Sequence, residues 1–324
     1  MTVLQAGEIE EKARQSPCAA ASMALVELED VVVAYGDFIA LDGVTCAIEG
    51  GAVGLLGPNG AGKSTLIRTL LGFNRASSGR VSLFGKAMPR HALEVRLRIG
   101  YMPEREVSSP KVSAVNFLTY CGRLIGMTYV DAMERAHEVL SYVRLGDSRY
   151  RLMETYSTGM LQRVKLAQAL IHDPKLVLLD EPTNGLDPTG RIQMLDLIRD
   201  IAERRGVTVL LSSHLLPDVQ HVCERVVMIN NGKIVREGRI DELTAAHDDH
   251  FEVRVRDHES EFCAALERRG ARWKKDRAGS LLVTAGNGPG DLFEAARAAK
   301  THIRHFQPVR TSLEEVFLKA LGKA

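Results

Sequence analysis

The chain has 324 residues, a formal net charge of +1, 45% apolar residues and 26% charged residues. That length accommodates one large α/β domain with an appendage, or two domains with separate cores. Near-neutral charge, one tryptophan and 5% aromatic residues supply neither the basic field nor the stacking surface that nucleic acid needs, so no nucleic-acid partner is expected.

Residues 1–24 are polar and without period, and are expected to form a mobile N-terminal tail. Their opening, MTVLQAGEIEEKARQ, lacks the basic start and apolar run of a secretory signal. No segment reaches the roughly 18 apolar residues that cross a bilayer, so the chain is expected to be soluble or peripheral. Five cysteines, Cys18, Cys46, Cys121, Cys223 and Cys263, lie far apart with no CxxC pair. That pattern reads as free thiols in a reducing compartment.

Residues 23–34 and 38–48 have extended character and suggest an antiparallel patch. The apolar strand 52–56 runs directly into Gly57-Pro58-Asn59-Gly60-Ala61-Gly62-Lys63-Ser64-Thr65, after which Leu66, Ile67, Leu70 and Leu71 recur at helical spacing. Short strands are expected at 79–85 and 99–102. Between about 112 and 151 the pattern is helical, with Val115, Leu118 and Gly122 on one face and Met133, Ala136, Val139, Leu140 and Val143 on another. A further helix spans 156–170 and opens in a polar turn. The strand 176–179 ends in Asp180-Glu181. Asp187-Pro188 is a helix start with a capping residue and a first-turn proline. Ile192, Leu195, Ile198 and Ile201 form that helix's expected buried stripe, and Gly206 stops it. A strand at 207–211 follows, then a hairpin about Asn230-Asn231-Gly232. Residues 247–250 read as a polar connector. Beyond it the order strand, helix, strand, strand, helix, strand suggests a small ferredoxin-like unit, with an amphipathic helix at 312–320.

Residues 57–64 match the GxxxxGK[ST] phosphate loop. Its glycines let backbone amides curl round an anion, and the helix starting near Gly62 turns its positive end toward the phosphates. Lys63 can reach the β and γ phosphates and Ser64 can bind Mg²⁺. Asp180 and Glu181 at a strand exit are costly to bury without a cation or donor. Asp180 is expected to hold Mg²⁺, and Glu181 to orient the attacking water. Taken alone, the loop could be an ordinary glycine turn, and the carboxylates a helix cap and a surface charge.

Ser157-Thr158-Gly159-Met160-Leu161-Gln162-Arg163 stands just before the strand ending in Asp180-Glu181-Pro182-Thr183. It resembles the signature motif of the ATP-binding-cassette (ABC) ATPases, in the form common among exporter-type subunits. Asn184-Gly185-Leu186-Asp187-Pro188 resembles the family's D-loop, His214 its switch histidine, and Tyr35 its adenine-stacking aromatic. The ending Thr311-Ser312-Leu313-Glu314-Glu315-Val316-Phe317 resembles the extra C-terminal domain of such subunits.

The resemblance implies an α/β fold: a P-loop NTPase (RecA-like) core with an antiparallel β subdomain and a helical subdomain at about 105–170. The ATPase domain would occupy 25–245, and a ferredoxin-like α+β accessory domain 246–324. It implies ATP and Mg²⁺ as ligands, and hydrolysis with Lys63, Glu181 and His214 as catalytic residues. Tyr35, the phosphate-loop residues 57–65, Ser157, Gly159 and Asp187 would contact nucleotide, the last three in a partner's site. Ser64, Glu104 and Asp180 would hold the metal. A second copy or homologue and a hydrophobic transmembrane permease are the implied partners, with the chain peripheral on the cytoplasmic side of the membrane. Two departures stand out. Glu104 occupies the position of the family's usual glutamine, and Thr158 and Met160 replace a glycine and a glutamine of the signature. As alternatives from the residues themselves, Tyr35 could merely pack on a sheet, His214 could satisfy a backbone group, and Asp187 and Ser157 could only cap helices. A soluble cassette protein remodelling ribosomes or nucleic acid, and a regulatory interaction module, are the competing functions.

Overall fold

The computed structural model describes residues 24–104, 111–244, 246–276, 279–285, 288–310 and 312–320. Residues 1–23 of the tail expected at 1–24, Cys18 among them, therefore lie outside the described residues. Strands β1 (Val26–Tyr35) and β2 (Phe38–Ile48) pair as an antiparallel hairpin, and β3 (Ala52–Leu56) leads through the glycine-rich loop into α1 (Lys63–Leu70). β4 (Ser78–Leu83) and β5 (Lys86–Ala87) complete a four-stranded antiparallel sheet of order β2-β1-β4-β5. α2 (Ala92–Arg96) and β6 (Ile99–Met102) follow, then the helical stretch α3 (Ala114–Leu124), α4 (Tyr129–Tyr142) and α5 (Thr158–Leu170). Ser113, Thr128 and Ser157 cap these three helices, each accepting from a backbone N–H three residues on.

β7 (Leu176–Asp180), α6 (Pro188–Arg205), β8 (Thr208–Ser213), α7 (Leu216–Val222), β9 (Arg225–Asn230), β10 (Lys233–Arg239) and α8 (Ile240–Leu243) complete the first unit. Its central sheet has order β10-β9-β3-β8-β7-β6, parallel from β9 to β6 with β10 antiparallel at the edge. The parallel strands read as largely apolar runs because both their faces are buried, whereas the edge strand β10 is polar and part-exposed. Side-chain alternation divides each strand between two cores. Val177 and Leu179 of β7 face the core built with α3–α6, while Leu176 and Leu178 face the one built with α1 and the antiparallel sheet. β3, β8 and β9 divide in the same way.

β11 (Ala246–Val255), α9 (Glu259–Glu267), β12 (Arg272–Lys275), β13 (Leu281–Thr284), α10 (Pro289–Ala298) and β14 (Ile303–Arg310) form an antiparallel sheet of order β12-β13-β11-β14. This is the ferredoxin-like arrangement, with a third core of Phe251, Val253, Phe262, Leu266, Leu281, Val283 and Leu292. The final helix, α11 (Leu313–Ala320), does not join that core. Leu313 is fully buried in the first unit's core, Val316 and Phe317 pack against it, and the helix contacts α8.

Three local expectations are corrected. Ile192 is 54% exposed, because it points from the face of α6 opposite the core; the buried stripe is Met194, Leu195, Leu197, Ile198 and Ile201. Residues 247–250 are not a connector but part of β11, whose first residue Ala246 already pairs with Arg310 of β14. Asp187 holds the N-cap position of α6, but its side chain makes no capping hydrogen bond.

Candidate active site

Four parallel strands, neighbours in the order β3-β8-β7-β6, deliver their carboxyl ends to one edge of the sheet. The loop after each carries expected site residues: Gly57–Thr65 after β3, His214 after β8, Asp180 and Glu181 at the end of β7, and Glu104 after β6. In an open parallel sheet this edge is where ligands bind.

The glycine-rich loop is shaped by close backbone approaches. A Cβ on Gly57 would lie 2.3 Å from the Ile229 carbonyl oxygen. Gly62 has φ +108° and leaves only 2.9 Å between a would-be Cβ and the Ala40 carbonyl oxygen. Only glycine fits either position without strain. α1 begins directly at Lys63, so its N-terminal amides face the loop's interior. Lys63 is buried; its Nζ donates to the carbonyls of Gly57 (2.7 Å) and Pro58 (3.3 Å) and lies 3.4 Å from Glu181 Oε1. A cavity of about 380 Å³ opens here, lined by Pro58, Asn59, Gly60, Gly62, Lys63, Ser64 and Thr65, with Glu104 and Glu181. Phe38 and Ala40 supply its remaining wall.

Glu181 is buried and adopts φ +50°, a left-handed conformation costing a non-glycine residue about 1–3 kcal/mol. Its N–H donates to the Ser212 carbonyl at 3.0 Å, which holds the turn. Glu181 Oε2 lies 2.8 Å from His214 Nδ1. A carboxylate only accepts, so the contact assigns the proton to Nδ1 and leaves Nε2 available. Glu181 Oε1 forms the ion pair with Lys63 but no hydrogen bond. Asp180 is buried and accepts from Ser212 Oγ at 3.0 Å. Burial, followed by the Asp180 charge, pushes the Tyr101 phenol above its ordinary range. Glu104 is exposed on the cavity wall. Its carbonyl accepts from buried Lys165 of α5 at 3.0 Å, and Asn184 Nδ2 approaches its Oε1 at 3.5 Å.

The remaining expected residues stand apart. Ser157, exposed, accepts from the Met160 N–H at 3.4 Å as the cap of α5. A Cβ on Gly159 would meet only ordinary contacts, at 3.6 Å to Leu186 and 4.0 Å to Ser157, so nothing inside the chain demands glycine there. Asp187 is exposed. None of these three, nor His214, lines the cavity. Tyr35 is 48% exposed and also off the cavity wall; its cross-strand partner Phe38 is on it. Sequence reasoning missed Phe38, although its place beside Tyr35 in the hairpin was a usable signal. Lys165 and Asn184 carried no such signal, because their contacts with Glu104 are set by tertiary packing.

The donor set fits a nucleotide's phosphates. A buried ammonium, a helix N-terminus and a glycine-cradled loop converge on one cavity, opposed by carboxylates that can take part in metal and water chemistry.

The ABC transporter domain family matches residues 41–184. The chain is 34% identical over 306 residues to the daunorubicin/doxorubicin resistance ATP-binding protein DrrA of Streptomyces peucetius, with 92% of each chain covered. The chain belongs to the ABC transporter ATP-binding proteins. It is also 31% identical over 311 residues to the Nod factor export ATP-binding protein I of Cupriavidus metallidurans, covering 93% of this chain and 98% of that protein. Among solved structures it resembles an ATP-binding subunit of an ABC transporter (TM-score 0.61, 28% identity, 68% of this chain and 91% of that one). It likewise resembles the dimeric post-hydrolysis state of the cassette MJ0796 bound to ADP and Pi (TM-score 0.60, 25% identity, 66% and 98%). This ABC subunit is therefore a transport-coupled ATPase with a P-loop NTPase core. Among the described residues no helix is long and apolar enough to cross a membrane.

Proposed function

We propose that the chain powers an exporter by closing head to tail on a second copy or a homologue, with ATP between one copy's Gly57–Thr65 loop and the other's Ser157–Gly159 turn. The observation carrying this reading is the split of the site. The cavity holds the phosphate loop, Glu104 and Glu181, whereas exposed Ser157 and Asp187 and half-buried Gly159 lie off its wall with room around the glycine. One chain thus offers half of two sites. Export is favoured by the drug-resistance and Nod-factor-export relatives.

In this reading Lys63 and the α1 N-terminus bind the phosphates and stabilise charge that develops on the γ-phosphoryl group. Glu181 orients the attacking water and takes up its proton, and His214 contacts the γ phosphate through Nε2. Phe38 and Tyr35, paired across the hairpin, form the adenine side. Ser64 and Asp180, with Glu104 as an oxygen donor, would hold Mg²⁺. Bound there, the ion would supply charge neutralisation to the phosphates, and such an ion commonly needs only one or two carboxylates beside phosphate.

The permease is assigned to an exposed apolar groove of about 650 Å³ between α2, β6, α3 and α5. Leu93, Leu97 and Leu124 on its rim are 77%, 54% and 68% exposed, an unusual concentration for a free surface. Tyr101 lines the same groove three residues before Glu104, so docking there can reach the cavity. The chain would then sit peripherally on the cytoplasmic face of the membrane. Co-expression with the candidate membrane subunit, followed by reconstitution in vesicles, tests the proposal. ATP-dependent transport lost in Lys63→Ala, and co-purification lost in Leu97→Asp with ATP binding retained, are the expected results. A chain that hydrolyses ATP but never associates with a membrane subunit would refute the transport reading.

A further inference from the structure

Asp218 belongs to none of the motifs above, yet it is 1% exposed and lies at the junction of three of them. Its Oδ2 accepts from Thr183 Oγ1 at 2.5 Å, and its Oδ1 pairs with Arg191 Nε at 2.5 Å. Thr183 stands two residues after Glu181, Arg191 four after Asp187, and Asp218 four after His214. Backbone bonds continue these links. The Leu186 N–H donates to the Thr183 carbonyl, the Arg191 N–H to the Asp187 carbonyl, and the Asp218 N–H to the Leu215 carbonyl. One buried carboxylate, satisfied on one oxygen by the loop after β7 and on the other by α6, thus ties together the segments that carry Glu181, Asp187 and His214. A buried charge needs a cation and donors, and removing either leaves the other stranded, so the junction has a strong preference for one arrangement.

We infer that Asp218 is a positioning residue for hydrolysis. With Thr183 and Arg191 it holds the Glu181 turn, the Asp187 loop and the His214 segment as one rigid body. A second copy pressing on the Asp187 loop thereby sets the Glu181 carboxylate and the His214 imidazole together. The phosphate loop is outside this clasp, so nucleotide binding by the single chain does not depend on it. The inference rests on the roles assigned to Glu181 and His214 above.

The test uses the full chain and compares Thr183→Val, Asp218→Asn and Asp218→Glu with wild type, and with exposed Asp241→Asn as a control. Thr183→Val keeps the side chain's shape and removes only the hydroxyl, so it reports on the clasp even if Asp218→Asn fails to fold. Steady-state kcat, equilibrium Mg-ATP affinity and the unfolding midpoint are measured for each. We expect kcat to fall at least tenfold in Thr183→Val and Asp218→Asn, with ATP affinity within threefold of wild type and part of the loss recovered by Asp218→Glu. In a Glu181→Gln background, Thr183→Val should lower the residual rate by a smaller factor than in wild type, because much of its effect acts through Glu181. The inference is overturned if Thr183→Val keeps kcat within twofold, if its loss of rate matches the loss of folded protein, or if the two substitutions multiply. A wild-type chain that binds ATP but hydrolyses none, alone or with its membrane subunit, would overturn the underlying assignment of Glu181 instead.

Discussion

Replacing Glu181 by glutamine separates hydrolysis from binding. The carboxylate is 3.4 Å from Lys63 Nζ, an attraction of about 5 kcal/mol at an effective dielectric of ~20. Phosphates replace the carboxylate as the partner of Lys63 once ATP is bound, and the negative Glu181 then faces like charge. A neutral amide removes that repulsion but cannot accept a proton from water. Nucleotide affinity should therefore be unchanged or tighter. The rate should fall by about 10²–10⁴-fold, the usual contribution of a general base, or about 2.7–5.5 kcal/mol in activation free energy. The assays are steady-state phosphate release, and gel filtration with and without Mg-ATP, where the variant should elute as a stable ATP-dependent dimer. A kcat within tenfold of wild type, or an exclusively monomeric variant at saturating Mg-ATP, would refute the reasoning.

Glu104→Gln should leave equilibrium ATP affinity within about threefold, because the phosphate loop supplies the binding donors; it should alter stimulation of hydrolysis by the membrane subunit. An affinity loss as large as that of Lys63→Ala would contradict the expectation. Leu313→Ala should cost about 2–5 kcal/mol in denaturant unfolding of the ATPase unit, the range for a buried leucine, since Leu313 is fully buried in that unit's core; a cost below about 1 kcal/mol would show that α11 is not docked there. Burial holds the His172 imidazole below its ordinary 6.5. The unfolded chain therefore takes up a proton that the folded chain resists, and stability should fall as pH drops below 6.5 toward the folded value. His172→Gln should flatten that dependence in unfolding midpoints between pH 7.5 and 5.5, and an unchanged dependence would count against it.

The phosphate loop was legible because its strand, glycines and helix are consecutive, so local chemistry dictates the local structure. The strands of the parallel sheet were legible as largely apolar runs, a consequence of burial on both faces. Polarity misled at residues 247–250, which lie inside β11 between the Ala246–Arg310 and Phe251–Pro308 pairs with β14, with His250 paired to Thr284 of β13. Spacing misled at Ile192, because successive three-residue steps drift off the period of about 3.6, and the step back from Leu195 leads to the outer face of the helix. Residues brought together from distant positions were invisible to sequence reasoning. Asp218 meets Thr183 across 35 residues and Arg191 across 27, and Lys165 meets Glu104 across 61. The docking of α11 on the first unit was equally hidden, because an amphipathic helix does not announce which core it covers.

Mixing two disabled chains measures the split site most directly. Lys63→Ala removes the phosphate-loop lysine and keeps the Ser157–Gly159 turn, while Gly159→Asp blocks the turn and keeps the loop. Each should be inactive alone. Their mixture forms heterodimers with one intact site, and should regain up to about a quarter of wild-type ATPase activity by statistical pairing of a symmetric dimer. A mixture no more active than its components, although both bind each other, would contradict head-to-tail closure.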